Sequence, residues 1–286
     1  MTPVVLALIA VGAITHAAWN LAIKRSHVGG PVFLWLSSIT ASIVVVPFAI
    51  VSVIADAPDW GVLLVAAVVS GVLHVGYFLL LQKGYSVGDV SVVYPLARGS
   101  GPLITIIVAI AVLGERPAPL ALAGAAVIIT GVVVIGLAGG RAGMRNARAG
   151  VLFGLLTGVL IAAYTLWDAT AVTMFAIAPV VLSWAGTTTE ALLLTPVAVR
   201  NGRRVLAVWR NNWREVLTVG ILSPVSYIAI LIAMQLAPIS LVAPGREVSV
   251  VLVSLAGWLI FKEPNPRQRL LGAGVVLVGV ALLGLG

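Results

Sequence analysis

The chain has 286 residues, 61% apolar and only 9% charged, with a mean hydropathy of +1.16. A soluble core of that length cannot hide so much apolar surface from water, so the lipid bilayer is its solvent and first partner. The net charge of +8 does not point to nucleic acid, because the basic residues lie in short segments between apolar runs, where the positive-inside rule expects them. With no cysteine, disulfides, thiolate metal sites and a Cys nucleophile are excluded.

Ten apolar runs follow in chain order, at 3–23, 31–54, 61–82, 90–113, 118–138, 149–171, 179–199, 215–235, 239–261 and 267–285. They lack the period-two alternation of a membrane barrel, which leaves helices as the spanning structure. The expected fold is an all-α membrane protein of ten transmembrane helices. No basic region precedes the first run, which therefore reads as a retained span rather than a cleaved signal. The connections after the odd-numbered spans hold 2, 1, 3, 5 and 3 Lys/Arg, against Arg116 alone on the other side. The basic side should face the cytoplasm of a prokaryotic plasma membrane, with both termini outside.

Two halves of the chain match at a constant offset. Trp19 pairs with Trp167, Asn20 with Asp168, Arg98 with Arg246 and Glu115 with Glu263, each 148 residues apart. Gly124, Gly131 and Gly136 pair with Gly272, Gly279 and Gly284 at the same spacing. The offset divides the chain into a five-helix repeat (1–138), a basic linker (139–148) and a second five-helix repeat (149–286). Five is odd, so the second copy enters the membrane from the opposite face. Such inverted repeats place substrate sites near the midplane, between the halves.

"HAAWN" (16–20), "YPLARGSGPL" (94–103), "LGERPAP" (113–119), "APGREVS" (243–249) and "FKEP" (261–264) resemble, in order and spacing, the EamA-type ten-helix transporters of the drug/metabolite transporter superfamily. The resemblance covers essentially the whole chain. It implies a transporter of small metabolites, often an exporter, with a central cavity, and does not identify the cargo; no cofactor and no enzymatic activity are expected.

Arg98 lies about 12 Å into its span and Arg246 about 10 Å into its own, from the opposite face, at 1.5 Å per residue; at such depths an arginine costs about 2.5–3.5 kcal/mol to insert. One reading is a cationic pair that binds a carboxylate or phosphate. The other is an internal ion pair with Glu247 or Glu190. Glu190, His74 and His16 fall near mid-span, where each could carry a coupling proton or make a structural hydrogen bond. Trp19, Tyr164 and Asp168 form the paired ends of the first and sixth spans, either as a cavity wall or as interface anchors. Tyr77 and Tyr94 could stack on an organic cargo or serve as buried tyrosines with one partner. Glu115 and Glu263, before Pro-rich connections, read as structural or gate residues. The leading expectation is a secondary transporter, an exporter of an amino acid or other organic anion, working by alternating access. The alternative is efflux of cationic or drug-like compounds by proton exchange through Glu190, Asp168 and Glu247. A membrane enzyme lacks support, since no metal-ligand cluster or nucleophile motif is present.

Overall fold

The computed structural model describes residues 1–26, 29–88, 90–137, 147–262 and 265–285. Among them lie eleven helices: α1 (Pro3–Ser26), α2 (Pro31–Ala55), α3 (Trp60–Val87), α4 (Val90–Ala111), α5 (Pro119–Leu137), α6 (Ala147–Thr173), α7 (Pro179–Arg200), α8 (Gly202–Leu236), α9 (Ile239–Gly245), α10 (Val248–Phe261) and α11 (Pro266–Leu285). Five of them (α1, α2, α5, α7 and α11) begin on a proline, which suits the first turn because its missing N–H would be unpaired there anyway. The expected all-α membrane fold holds, with α9 and α10 together forming one span. Glu263 and most of the basic linker lie outside the described residues.

Two expectations need correction. The span 239–261 is not one helix: it breaks at Arg246 and Glu247, where Ser249 and Val250 donate to carbonyls only three residues back. Pro244 in α9 removes a ladder donor just before that break. The helix that carries the span at 215–235 starts earlier than expected, at Gly202, and kinks at Asn212. The polar, arginine-rich sequence there concealed a helix lying outside the apolar run. Nine stretches among the described residues are long and apolar enough to cross a membrane. α7 is the span that falls short, although its 22 residues suffice in length. Ser183, Thr187, Thr188, Thr189 and Glu190 lower its apolarity, and several of them turn out to face a cavity.

Helix pairing repeats with the duplication. α1 packs on α8 as α6 packs on α3; α2 packs on α8 as α7 packs on α3; α5 meets α11, and α2 meets α7. The close approaches obey the same exchange. A Cβ on Gly71 would lie 2.6 Å from Thr189 Cγ2, and one on Gly220 would lie 2.5 Å from Thr40 Cγ2. Both members of the pair shift by 149 residues. At the α5–α11 crossing Gly124 abuts Gly279 and Gly131 abuts Gly272, with backbone oxygens 2.7–3.0 Å from any added Cβ. Lipid gives no hydrophobic drive between helices, so this closeness supplies the packing.

One apolar cluster runs the length of the α5–α11 pair, with Ala121, Ile128, Ile135, Val276 and Leu283; around the other helices the core is lopsided along the membrane normal. Val5, Leu63, Val172, Val181, Leu182, Ile230, Met234 and Ile239 form one buried cluster at the helix ends away from the basic side. Near the basic side a smaller cluster of Phe33, Val216 and Val219 joins α2 to α8. Between these layers the helices part.

Candidate functional site

Between the two repeats lies a cavity of about 320 Å3, within the range of small-molecule sites. Its wall includes His16, Trp19, Ser38, His74, Tyr77, Arg98, Tyr164, Glu190, Tyr227 and Arg246. Ile23, Gly29, Phe33, Leu34 and Gln82 line its mouth, beside the connections after α1 and α3. Leu182 and Ile230 belong both to its wall and to the large apolar cluster that closes the far end. The cavity therefore opens toward the basic face, the side assigned to the cytoplasm.

The two arginines occupy equivalent positions. An Arg98 Nη donates toward His16 Nε2 at 3.2 Å, and an Arg246 Nη donates toward the Tyr164 hydroxyl at 3.5 Å. Each partner lies 82 residues before its arginine, so the duplication places His16 where the other half has Tyr164. Arg246 also sits over the Tyr164 ring, and Arg98 over the Tyr94 ring, each 5.7 Å from the centroid. Such contacts favour a desolvated cation.

Both guanidinium groups share one counter-charge. Glu247 Oε1 is 3.5 Å from Arg98 Nη1 and 3.4 Å from Arg246 Nε. Glu247 is almost fully buried and its Oε2 has no hydrogen-bond partner. The break between α9 and α10 puts this carboxylate between helices of different repeats. Two cations thus face one carboxylate at this point of the cavity wall.

An acidic region is built by α2, α3, α6, α7 and α8. Ser38 on α2 donates to Glu190 Oε2 at 2.9 Å. Asp168 on α6 is fully buried, accepts a hydrogen bond from the Tyr227 hydroxyl and stands 3.9 Å from His74 Nδ1. The His74 Nδ1 is also 2.9 Å from the Ser70 carbonyl one turn back. His74 and Tyr227 line the cavity, whereas Asp168 lies behind them.

Of the eleven residues singled out from sequence, eight line this cavity: His16, Trp19, His74, Tyr77, Arg98, Tyr164, Glu190 and Arg246. Glu247, Asp168 and Tyr94 stand behind the wall, against lining residues. Glu190 is not the counter-ion of a midplane arginine; it is held by Ser38. Glu115 is a cap, its two carboxylate oxygens accepting from the Ile239 and Ser240 amides at 2.6 and 3.0 Å. It thus ties the α4–α5 connection of the first repeat to the start of α9. Trp19 faces the cavity, but its counterpart Trp167 donates to the Ala66 carbonyl. Sequence reading missed Tyr227 and Ser38. Tyr227 had one faint signal, since it stands 149 residues after cavity-lining Phe78.

The chain matches the profile of the EamA-like transporter family at residues 3–137 and 148–285, one match in each repeat. Among curated proteins it is similar to probable 4-amino-4-deoxy-L-arabinose-phosphoundecaprenol flippase subunit ArnE of two bacteria. The Klebsiella pneumoniae protein is 41% identical over 51 residues, 18% of this chain and 46% of that one. The Pseudomonas fluorescens protein is 33% identical over 97 residues, 30% of this chain and 78% of that one. The chain thus spans about half the length of the first of these relatives. A solved crystal structure, 18% identical, matches all of this chain and 98% of its own with a TM-score of 0.78, which supports the fold.

Proposed function

Because the chain belongs to the EamA-like transporter family and is an integral multi-pass membrane protein, we propose that it moves a small zwitterionic or anionic metabolite, such as an amino acid, across the membrane. The observation that carries this reading is the wall of the cavity itself. Arg98 and Arg246, undercompensated by Glu247, offer planar donors to a carboxylate. Glu190, held by Ser38, offers an acceptor to an amine. Opening toward the basic face with the far end sealed by Leu182, Ile230 and their neighbours matches loading from the cytoplasm, as an exporter needs. Alternating access would open the seal and close the mouth around the arginines.

A proton is the coupling partner in this reading. If all five are ionised, Arg98 and Arg246 against Glu247, Glu190 and Asp168 sum to −1. One proton on the Asp168 carboxylate makes the centre neutral. His74 and Tyr227 stand between Asp168 and the cavity, so that proton can exchange with cavity water. The relatives' printed cargo carries a phosphate and an amine, the same two charges. That favours a second reading, movement of a lipid-linked amino sugar phosphate.

Uptake and efflux of radiolabelled amino acids and organic anions in proteoliposomes tests the proposal. Arg98→Gln and Arg246→Gln should each lower anion or zwitterion transport about tenfold to hundredfold, the value of a charged hydrogen bond or two. Undiminished transport by both variants would sink the anion site. Loss of cationic cargo alone in Glu190→Gln would favour cationic efflux instead. Movement of a lipid-linked amino sugar with none of the water-soluble panel would favour the second reading.

A further inference from the structure

α8 has two parts. Asn212 leaves helical geometry, with φ −134° and ψ 25°, and the turns before it lie outside the apolar run of the span. Val205 and Val208 are the less exposed residues of this segment, and Val208 packs against Phe33, Val216 and Val219. Leu206 and Trp209 are 49% and 43% exposed, and Trp213 just past the kink is 45% exposed. At about 100° per residue, Arg203 and Arg210 share one line, roughly 80° round from the Leu206–Trp209 line and on the side away from the valines. Both are exposed. Arg214, after the kink, lies over the Trp213 ring at 5.4 Å.

We propose that this segment is a binding site for an anionic phospholipid of the cytoplasmic leaflet. Its acyl chains would lie along Leu206, Trp209 and Trp213, and its phosphate would meet Arg203 and Arg210. The charge is complementary: Arg200, Arg203, Arg204, Arg210 and Arg214 fall within 15 residues, with Glu215 the sole acid beside them. The positive-inside rule needs only lysines and arginines near a span end. It does not require a helix, nor an arginine row flanking an exposed aromatic row at the membrane surface. Those two features belong to helices that lie in the interface and take up anionic headgroups. The site also adjoins the transport path. Arg204 Nη2 lies 3.5 Å from where a Gly30 Cβ would be, and neighbouring Gly29 lines the cavity mouth. A lipid held here stands beside the cytoplasmic entrance.

The test uses the full chain in bilayer nanodiscs. Quenching of Trp209 and Trp213 fluorescence by brominated phosphatidylglycerol is compared with quenching by brominated phosphatidylcholine. Subtracting the signal of Trp209→Phe/Trp213→Phe isolates these two tryptophans. The wild type should prefer phosphatidylglycerol. Arg203→Gln/Arg210→Gln should lower that preference about 25-fold, at about fivefold per arginine. Lys262→Gln/Arg267→Gln, which removes two charges elsewhere on the basic face, should change it less than about twofold. In the wild type, about 1 M salt should collapse the preference without any substitution. Equal loss in both double variants would overturn the site in favour of diffuse charge. A wild-type preference that is absent, or unmoved by salt, would overturn it altogether.

Discussion

The two repeats share a frame and differ in chemistry. Their close contacts superimpose by exchange: Gly71 on Thr189 mirrors Gly220 on Thr40, and the Gly124–Gly279 contact mirrors Gly131–Gly272. The arginines and their partners 82 residues earlier follow the same rule. At the remaining cavity positions the halves part company. His16 faces Tyr164 across the duplication, Asn20 faces Asp168 and Gly99 faces Glu247, each 148 residues apart, while Ala41 faces Glu190 at the 149-residue offset of neighbouring Thr40 and Thr189. Every carboxylate of the centre thus comes from the second repeat, and both histidines, His16 and His74, come from the first. A Cβ added at these glycines would come within 2.5–3.0 Å of the facing helix, which tolerates almost no change, so the packing positions stay matched. A side chain facing the cavity has no such constraint, and there each half has taken its own role. The break at Arg246–Glu247, against an unbroken α4 around Arg98, is the backbone expression of the same divergence.

That contrast can be broken from the chemical side first. Glu247→Gln removes the one carboxylate near both guanidinium groups. Leaving buried charge uncompensated costs about 3–5 kcal/mol, read as a fall in thermal stability in detergent with a matching loss in nanodiscs. An unchanged melting temperature would show that the arginines do not need Glu247. The frame should respond symmetrically. Gly124→Val and Gly279→Val force a side chain to within 2.6–2.7 Å of backbone on the facing helix. Each should cost about 1–3 kcal/mol, and the two should agree closely; a large difference would mean that the crossing is not shared equally. Asp168→Asn gives the second half the amide of the first. It should cut pH-driven accumulation of cargo at least about tenfold, roughly 1.4 kcal/mol, yet leave cargo counterflow at equal pH nearly intact. Intact pH-driven accumulation would remove Asp168 from proton coupling.

Sequence made the frame readable because each cause was local or repeated. Apolar length gave the spans, and the offset of 148 gave the duplication. The two midplane arginines were legible because charge at that depth is costly wherever its partner lies. Their partners were not. Glu190 meets Ser38 across 152 residues, and Asp168 meets Tyr227 across 59. Hydropathy ranks a helix face but does not say which neighbour faces it. The basic helix before Asn212 was hidden for a different reason: its arginines lowered the apolarity that marks a span, although its spacing is helical. The α9–α10 break was likewise concealed, since "APGREVS" and "PLARGSG" carry similar breakers and only the second repeat yields to them.

The finest test of the comparison is Tyr164→His, which gives Arg246 the partner that Arg98 already has. A histidine there can accept from the guanidinium as His16 does at 3.2 Å, so the charge would stay held. What is lost is the ring beneath the cation at 5.7 Å, worth about 0.5–1 kcal/mol, and the contacts of Tyr164 with His74 at 4.2 Å and Tyr77 at 5.7 Å. Transport affinity should therefore fall only about threefold, measured by concentration dependence in proteoliposomes, with the proton-driven component preserved. A much larger loss confined to that component would locate coupling differently. It would mean that Tyr164, which touches both Arg246 and His74, links the cargo pair to the His74–Asp168 pair. The duplicated positions would then differ because one half must carry that signal and the other need not.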